Sequence, residues 1–228
     1  MIGSDMLLRS WGRRHFIAAF LAGAAGLPAM AAPAPAVLVL GDSLSAEYGL
    51  RRGTGWVALL ELKLAAEGLP ARVVNASISG DTTSGGRSRL PALLSQHQPA
   101  VVVLELGGND ALRGLPLEMT QRNLEAMAKA ARESGARVLL VGMQMPPNYG
   151  ADYATRFASL YQQVAKAQQA ALVPFLLKGV ADAPDPLHWF QQDRIHPNER
   201  AQRRMLENVW PELKKLVAAV QPARKPKP

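Results

Sequence analysis

The stretch VVVLELGGND, residues 101–110, decides the fold class of this 228-residue chain. Residues 101–106 form the strongest strand candidate in the sequence, because Glu105 is the one polar residue in an otherwise apolar run. The two glycines and two polar residues that follow are typical of a loop at a strand end. The segments on either side then indicate the kind of sheet to which this strand belongs.

Strands and helices are predicted to alternate along the chain. Shorter apolar runs predict strands at residues 37–40, 72–75, 137–141 and 173–176, the last of them weak. Apolar residues at helical spacing predict helices at 56–64, 90–96, 118–134, 153–171 and 199–220, with Pro211 as a candidate break in the last. This order predicts one α/β domain with a mostly parallel, five-stranded sheet covered by helices on both faces.

Residues suited to chemistry follow the first three strands. Ser43 comes after the first, Gly80 after the second and Asn109 after the third. In parallel sheets the loops at the carboxyl ends of the strands build the site. We therefore expect these three residues to meet, provided that the first strand lies between the second and the third.

Ser43 is a candidate nucleophile, with helix capping as the alternative role for a serine in such a turn. The chain has no Gly-x-Ser-x-Gly elbow of the α/β-hydrolases, so a nucleophilic Ser43 belongs to a different fold. A serine hydroxyl also needs a neighbouring base to take its proton. The sequence must therefore supply a histidine.

His196 is the best candidate for that base among the four histidines. Asp193 precedes it by three residues, a spacing at which a turn brings the carboxylate to the imidazole and fixes its tautomer. Pro197 keeps His196 on extended backbone at the start of the following helix. The alternative is an Asp–His pair that only stabilises a loop.

Acyl transfer also needs hydrogen-bond donors for the oxyanion. Gly80 has no side chain, so its N–H is able to approach a ligand closely, and Asn109 offers a side-chain amide. Turn geometry for Gly80 and a self-capping loop for Asn109 are the alternatives, and both are compatible with a catalytic role.

Taken in order, these blocks resemble those of the GDSL or SGNH hydrolases. The Ser, Gly, Asn and His of the family correspond to Ser43, Gly80, Asn109 and His196. Within that superfamily the chain is similar to the bacterial periplasmic acyl-CoA thioesterase I, lysophospholipase and arylesterase branch. The similarity extends over residues 37–220, including 74–82, 89–94, 105–110, 147–150 and 195–198.

The resemblance implies a three-layer α/β/α, flavodoxin-like fold, no metal and no organic cofactor. It implies a serine esterase or thioesterase with a Ser43–His196–Asp193 triad that forms an acyl-enzyme. The oxyanion hole would consist of the Ser43 and Gly80 backbone N–H groups and the Asn109 amide. A mobile lid is implied at residues 111–116.

Six residues are expected to bind the substrate, each with ordinary packing as the alternative role. They are Asp42, Leu112, Met143, Pro146, Tyr149 and Ile195. Arg194 departs from the family, which often has glycine at that position. Its side chain either contacts an anionic leaving group or points into water, and its backbone is less suited than glycine to a positive φ.

Two other functions stay open beside acyl ester and thioester hydrolysis. One is a carbohydrate O-deacetylase on the same fold, against which the apolar residues near the site loops argue. The other is a non-catalytic ligand-binding module, although a module that had lost activity should lack one of the four block residues, and all four are present.

Residues 1–31 are expected to be a signal peptide that exports the protein to the periplasm or beyond. Three arginines precede the uncharged apolar run at 16–27, and Ala29-Met30-Ala31 offers a cleavage site. Arg13-Arg14 indicates twin-arginine export, with the general secretory route as the alternative. The hydrolase domain would then comprise residues 32–221, followed by a basic, proline-rich tail at 222–228.

Composition limits the partners. The chain contains no cysteine and has a formal net charge of +8, which favours either weak contact with anionic lipid or a merely solvated surface. No zinc spacing, arginine-rich helix or aromatic–basic alternation suggests nucleic acid. A monomer acting on a small acyl ester or thioester is the expectation.

Overall fold

The computed structural model describes residues 34–221. The predicted signal peptide and the basic tail lie outside the described residues. The strands are β1 Ala36–Gly41, β2 Arg72–Asn75, β3 Val101–Glu105, β4 Arg137–Val141 and β5 Ala171–Val173. The helices are α1 Trp56–Ala66, α2 Thr83–His97, α3 Gly108–Leu112, α4 Leu117–Glu133, α5 Ala151–Gln168 and α6 Glu199–Val220. Short 3₁₀ turns occur at Pro147–Tyr149 and Pro186–Trp189.

All five strands form one parallel sheet in the order β2-β1-β3-β4-β5. The α/β class and the parallel sheet are therefore confirmed. Because β1 lies between β2 and β3, the loops that carry Ser43, Gly80 and Asn109 leave the same edge from neighbouring strands. In the β1–β3 register Gly41 pairs with Glu105, which brings the first and third blocks side by side.

Helices cover both faces of the sheet, as side-chain alternation along each strand requires. On one face Leu38, Leu40 and Leu104 pack in a buried cluster with residues of α2, α4 and α5. On the other face Val37, Val39 and the helices α1 and α6 form a second buried cluster. The three-layer α/β/α architecture is confirmed.

Several elements differ from the sequence predictions. α5 is Ala151–Gln168 rather than 153–171, and α3 at Gly108–Leu112 lies where a loop was expected. β5 lies at Ala171–Val173 rather than 173–176, because Gln169 ends α5 in the left-handed conformation and pairing with β4 starts at once. α2 begins at Thr83 rather than 90, since the Thr82 hydroxyl caps it by accepting from Gly85 N–H. The helix α6 continues through Pro211, and the buried Val209 and Leu213 anchor both sides of the proline to the core.

Candidate active site

The turn after β1 presents Ser43. The carbonyl of Asp42 accepts N–H bonds from Ser45 at 3.2 Å and from Ala46 at 2.9 Å, which closes the turn around Ser43. Gly41 has to be glycine, because an added Cβ would lie 2.7 Å from Glu105 Oε2 and 2.8 Å from Ser45 Oγ. Glu105 and Ser45 pack against the turn and therefore favour glycine two residues before Ser43.

His196 lies between Ser43 and Asp193. Its Nε2 is 3.0 Å from Ser43 Oγ, although the two residues are 153 positions apart in the chain. Its Nδ1 is 2.6 Å from Asp193 Oδ2. An ionised carboxylate only accepts hydrogen bonds, so Nδ1 carries the hydrogen and Nε2 is left to accept from the serine hydroxyl. The structure therefore brings together the three residues predicted to act as nucleophile, base and orienting acid.

Local backbone holds Asp193 in its ionised form. Its Oδ1 accepts the N–H groups of Ile195 at 2.9 Å and His196 at 3.0 Å. Partial burial raises the pKa of Asp193, but these two N–H bonds and the imidazole outweigh burial and lower it to about 2. The carboxylate is consequently available to hold the imidazole throughout the neutral range.

The predicted oxyanion donors are tied to the nucleophile turn. Asn109 is the second residue of α3, and its Nδ2 donates to Asp42 Oδ2 at 3.0 Å and to the Asp81 carbonyl at 2.9 Å. Gly80 has a φ of 78°, a left-handed backbone that favours glycine. Gly80 and Asn109 thus lie in the segments that follow β2 and β3, on either side of the Ser43 turn.

Comparison with known proteins identifies the family. A model of the GDSL-like lipase/acylhydrolase family matches residues 39–204. The chain belongs to this family. An esterase TesA of Pseudomonas aeruginosa is 55% identical over 186 residues, 82% of this chain and 91% of the relative. Thioesterase 1/protease 1/lysophospholipase L1 of Escherichia coli is 42% identical over 187 residues, 82% of this chain and 87% of the relative.

A solved structure agrees with this assignment. The psychrotrophic esterase EstA from Pseudoalteromonas, inhibited by monoethylphosphonate, has a TM-score of 0.75 at 39% identity and covers 80% of this chain and 98% of its own. The resemblance inferred from the four blocks is thereby confirmed. As a GDSL-like acylhydrolase the protein is an enzyme of the esterase type, not a non-catalytic binding module.

Two buried acids lie behind the nucleophile of this GDSL hydrolase. Burial raises the pKa of Asp42 to about 6, although the Leu44 N–H, the charge of His196 and the Asn109 amide act in the opposite direction. Burial, followed by the charge of Asp42, raises the pKa of Glu105 well above its ordinary value of 4.5. Asp42 and Glu105 are thus both buried directly beneath the turn that carries Ser43.

Glu105 is held by a short chain of polar contacts. Its Oε2 accepts from Ser45 Oγ at 2.6 Å, and Ser45 Oγ accepts from Trp56 Nε1 at 3.2 Å. Sequence reasoning assigned no role to Glu105, although one acid in a strand of aliphatic residues was a usable signal. The contact links α1 to the turn that carries Ser43.

Asp110 ties the second block of the GDSL hydrolase to the third. Its fully buried carboxylate accepts the N–H of Thr83 at 2.9 Å, the Thr83 hydroxyl and the Thr120 hydroxyl at 3.3 Å. The start of α2, three residues after Gly80, is therefore fixed against α3 and α4. The sequence shows that Asp110 follows Asn109 directly but gives no sign of these partners on α2 and α4.

The segment predicted as a mobile lid is anchored at several points. Leu115 N–H donates to the Asp110 carbonyl at 2.9 Å, and Arg113 N–H donates to the Asn109 carbonyl at 3.2 Å. The Arg113 Nη2 donates to the Gly80 carbonyl at 2.8 Å. Its mobility stays a prediction, and any movement would break the Arg113 contact with the second block.

The six predicted substrate contacts fall into two groups. Asp42 is 3% exposed and holds Asn109, so its carboxylate faces the protein rather than a substrate. Met143 is half-buried and packs against the core. The other four are exposed at the ends of α3 and β4 or next to His196: Leu112, Pro146, Tyr149 and Ile195.

Arg194 adopts a positive φ of 60°, the conformation for which the family often uses glycine. Its N–H donates to the Gln191 carbonyl at 3.0 Å, which closes the turn between Asp193 and His196. Among residues 34–221 its guanidinium has no hydrogen bond or ion pair. The backbone of this turn is thus maintained without help from the Arg194 side chain.

Proposed function

We propose that this protein hydrolyses carboxylic esters and thioesters through an acyl-enzyme on Ser43. The observation that supports this most is the continuous chain of contacts from Ser43 Oγ to His196 Nε2 at 3.0 Å and from Nδ1 to Asp193 at 2.6 Å. A base within hydrogen-bond reach of the nucleophile, itself oriented by an acid, is the arrangement that activates a serine hydroxyl.

The reaction proceeds in two halves. Ser43 Oγ attacks the acyl carbonyl while its proton passes to His196 Nε2, and the imidazolium then protonates the departing alcohol or thiol as its bond to the acyl carbon breaks. A water molecule next attacks the acyl carbon, gives its proton to His196, and releases the acid with return of the proton to Ser43. Asp193 stabilises the imidazolium in both halves and does not change its protonation.

The donors around Ser43 stabilise the tetrahedral intermediates. The backbone N–H groups of Ser43 and Gly80 and the amide of Asn109 are proposed to bind the oxyanion. Asn109 Nδ2 donates both of its hydrogens in the free structure, to Asp42 and to the Asp81 carbonyl. The oxyanion would share one of these hydrogens, and the two acceptors keep the amide aligned until then.

Exposed apolar side chains favour an acyl or aryl substrate. Seven large hydrophobic side chains are exposed within residues 34–221. Leu62 lies on α1 and Tyr48 lies against His196. The other five lie in segments that follow the carboxyl ends of the strands: Ile78, Leu112, Tyr149, Leu187 and Ile195. An apolar rim of this kind suits a hydrocarbon chain and argues against a carbohydrate O-deacetylase, which would need polar groups there. The names of the relatives, an esterase and a thioesterase/lysophospholipase, support the same substrate class.

The test is hydrolysis of p-nitrophenyl esters and acyl thioesters of graded chain length by wild type and Ser43→Ala. We expect wild type to act on both classes and Ser43→Ala to lose about 10⁴-fold or more in kcat/KM while staying folded. Undiminished turnover by Ser43→Ala would exclude the proposed nucleophile. Release of acetate from acetylated sugars without action on longer acyl chains would favour the deacetylase.

Export is proposed from residues 1–31, and the protein is proposed to act as a monomer outside the cytoplasm. Among residues 34–221 no helix is long and apolar enough to cross a membrane. Weak contact with anionic lipid is proposed from the net charge, which is +8 for the whole chain and +6 after removal of residues 1–31 with Arg9, Arg13, Arg14 and Asp5. Detection of the chain in the periplasmic fraction, shortened at its N-terminus by about the length of residues 1–31, would test the export proposal.

A further inference from the structure

An aromatic ring lies against the imidazole of His196. The ring centroids of Tyr48 and His196 are 4.3 Å apart and the ring planes are inclined at 39°. Tyr48 belongs to the same loop as Ser43 and is 50% exposed, and its ring is in contact with the imidazole. Glu47 at φ 60° and Gly49 at φ 69° turn the backbone on either side of it. The position of the ring is therefore set by its loop.

Gln191 joins this loop to the loop of His196. Its side-chain Nε2 donates to the carbonyl of Tyr48 at 2.9 Å and to that of Pro197 at 3.1 Å. Its backbone N–H donates to the carbonyl of His196 at 2.8 Å. Gly49 permits the close approach, because an added Cβ there would collide with the Gln191 amide. One glutamine thus connects the backbone on both sides of the Ser43–His196 contact.

We propose that Tyr48 and Gln191 are positioning residues that hold the imidazole of His196 toward Ser43. This inference rests on the proposed function. Asp193 fixes one end of the imidazole, but a single hydrogen bond at Nδ1 leaves the ring free to tilt about that end. Tyr48 covers one face of the ring and limits the tilt, and Gln191 fixes the distance between the two loops. Displacement of a catalytic group by about 1 Å is able to lower a rate by a factor of about 100.

The ring also affects the charge of the imidazole. The groups that face His196 are Asp193 at Nδ1, Ser43 at Nε2, the Tyr48 ring at one face and the carboxylate of Asp42 behind the turn. An aromatic face favours a neighbouring cation, so Tyr48 favours the imidazolium that forms in each step.

The experiment compares Tyr48→Leu, Tyr48→Phe and Gln191→Met with wild type. Phenylalanine keeps the ring face, leucine removes it, and methionine keeps the length of Gln191 without its donors. Trp210→Leu is the control for loss of an aromatic ring away from the site. Trp210 lies about 16 Å along α6 from Glu199, the first residue of that helix, which follows His196 by three residues. Gln121→Met on α4 is the control for the amide.

Three quantities are measured for each variant. They are kcat and KM for an uncharged aryl ester and for a thioester with the same acyl chain, and the rate of inactivation by an alkyl phosphonate that labels Ser43. Circular dichroism and the thermal midpoint report whether each variant is folded.

We expect Tyr48→Leu and Gln191→Met to lower kcat and the inactivation rate about tenfold, part of the 10²- to 10⁴-fold that a positioned base contributes. The loss should be equal for both substrates with KM within about twofold, because a positioning residue acts through His196 and not on the substrate. Tyr48→Phe should retain wild-type rates. In the double variant Tyr48→Leu/Gln191→Met the losses should combine less than multiplicatively.

Three outcomes would overturn the proposal. They are wild-type rates in Tyr48→Leu, equal losses in Tyr48→Phe and Tyr48→Leu, or a change confined to the KM of one substrate. If Gln191→Met does not fold, the comparison of Tyr48→Leu with Tyr48→Phe decides alone. Failure of the proposed function would look different: wild type would hydrolyse neither substrate and would not be labelled at Ser43.

Discussion

Replacement of Arg194 by glycine should stabilise the protein without changing hydrolysis of uncharged esters. Arg194 has a φ of 60°, at which the Cβ of an L-residue crowds the following carbonyl oxygen. That conformation costs about 1–2 kcal/mol in a residue other than glycine. Glycine, in turn, adds about 0.4–1 kcal/mol of conformational entropy to the unfolded chain. The difference is a net stabilisation of about 0.8 kcal/mol.

This value corresponds to a rise of about 2 °C in the thermal midpoint for a domain of this size. The contacts that hold the turn are expected to survive in Arg194→Gly. They are the N–H of residue 194 to the Gln191 carbonyl at 3.0 Å and the two N–H bonds to Asp193 at 2.9 and 3.0 Å. Since none of them uses the Arg194 side chain, kcat for a p-nitrophenyl ester should stay near wild type.

Two further variants separate the effect of the backbone at residue 194 from the effect of its side chain. Their stability is measured by urea and thermal unfolding. Arg194→Ala removes the guanidinium but keeps the Cβ, so it should leave the free energy of unfolding nearly unchanged. Gly135, just after α4, has a φ of 91° with nothing within 4 Å of an added Cβ. Gly135→Ala should therefore destabilise by about 1 kcal/mol for conformational reasons alone. If Arg194→Gly is less stable than wild type while Gly135→Ala is destabilised as expected, the backbone strain assigned to Arg194 is refuted.

Three other variants address the site. Asp193→Asn should lower kcat for a p-nitrophenyl ester about 10⁴-fold, because an amide no longer fixes the imidazole tautomer; a loss of less than tenfold would contradict the role of Asp193. Asn109→Ala should lower kcat about 10²- to 10³-fold with little change in KM, as removal of one oxyanion donor does, and a rise in KM alone would instead indicate a substrate contact. Glu105→Gln should change the pH dependence of stability. Because burial raises the pKa of Glu105 above its ordinary 4.5, its contribution to the free energy of unfolding is fully present below that pH and is lost as pH rises through the raised value. Urea unfolding at a series of pH values should therefore show wild type losing stability relative to Glu105→Gln as the pH increases. A parallel pair of curves would contradict this, since it would show that folding does not raise the pKa of Glu105.

Local patterns carried the sequence predictions that the structure reproduces. The strands β2 at Arg72–Asn75 and β4 at Arg137–Val141 have the bounds predicted from the sequence, and α6 follows its helical periodicity from Glu199 to Val220. The contact between Asp193 and His196 is also local, because three residues of turn determine it. The position of β1 between β2 and β3 was not predicted, and the expectation that Ser43, Gly80 and Asn109 meet was conditional on it.

Contacts that depend on strand register or on the direction of a side chain could not be predicted from the sequence. The bond between Asp42 and Asn109 joins residues 67 positions apart and exists because Gly41 pairs with Glu105 across β1 and β3. Asp42 was therefore assigned to the substrate, although its carboxylate points into the protein. Gln191 had no visible role for a similar reason, since the Tyr48 carbonyl that it binds lies 143 positions away in the chain.

The strand β5 shows a different limit of sequence reasoning. Its three residues are too few for a periodic signal, and the helical pattern of α5 runs into them without an obvious stop. The left-handed Gln169 ends that helix, although glutamine is not a usual residue for the position. Pairing with β4 decided the boundary instead.

Mass spectrometry of the acylated protein tests the central claim most directly. Wild type would be mixed with a slowly deacylating p-nitrophenyl ester, quenched in acid during the burst of p-nitrophenol, and digested. The account predicts one acyl group on the peptide that contains Ser43, with a burst close to one equivalent of enzyme and no acylation in Ser43→Ala. An acyl group on another residue, or full turnover with no burst and no covalent intermediate, would contradict it.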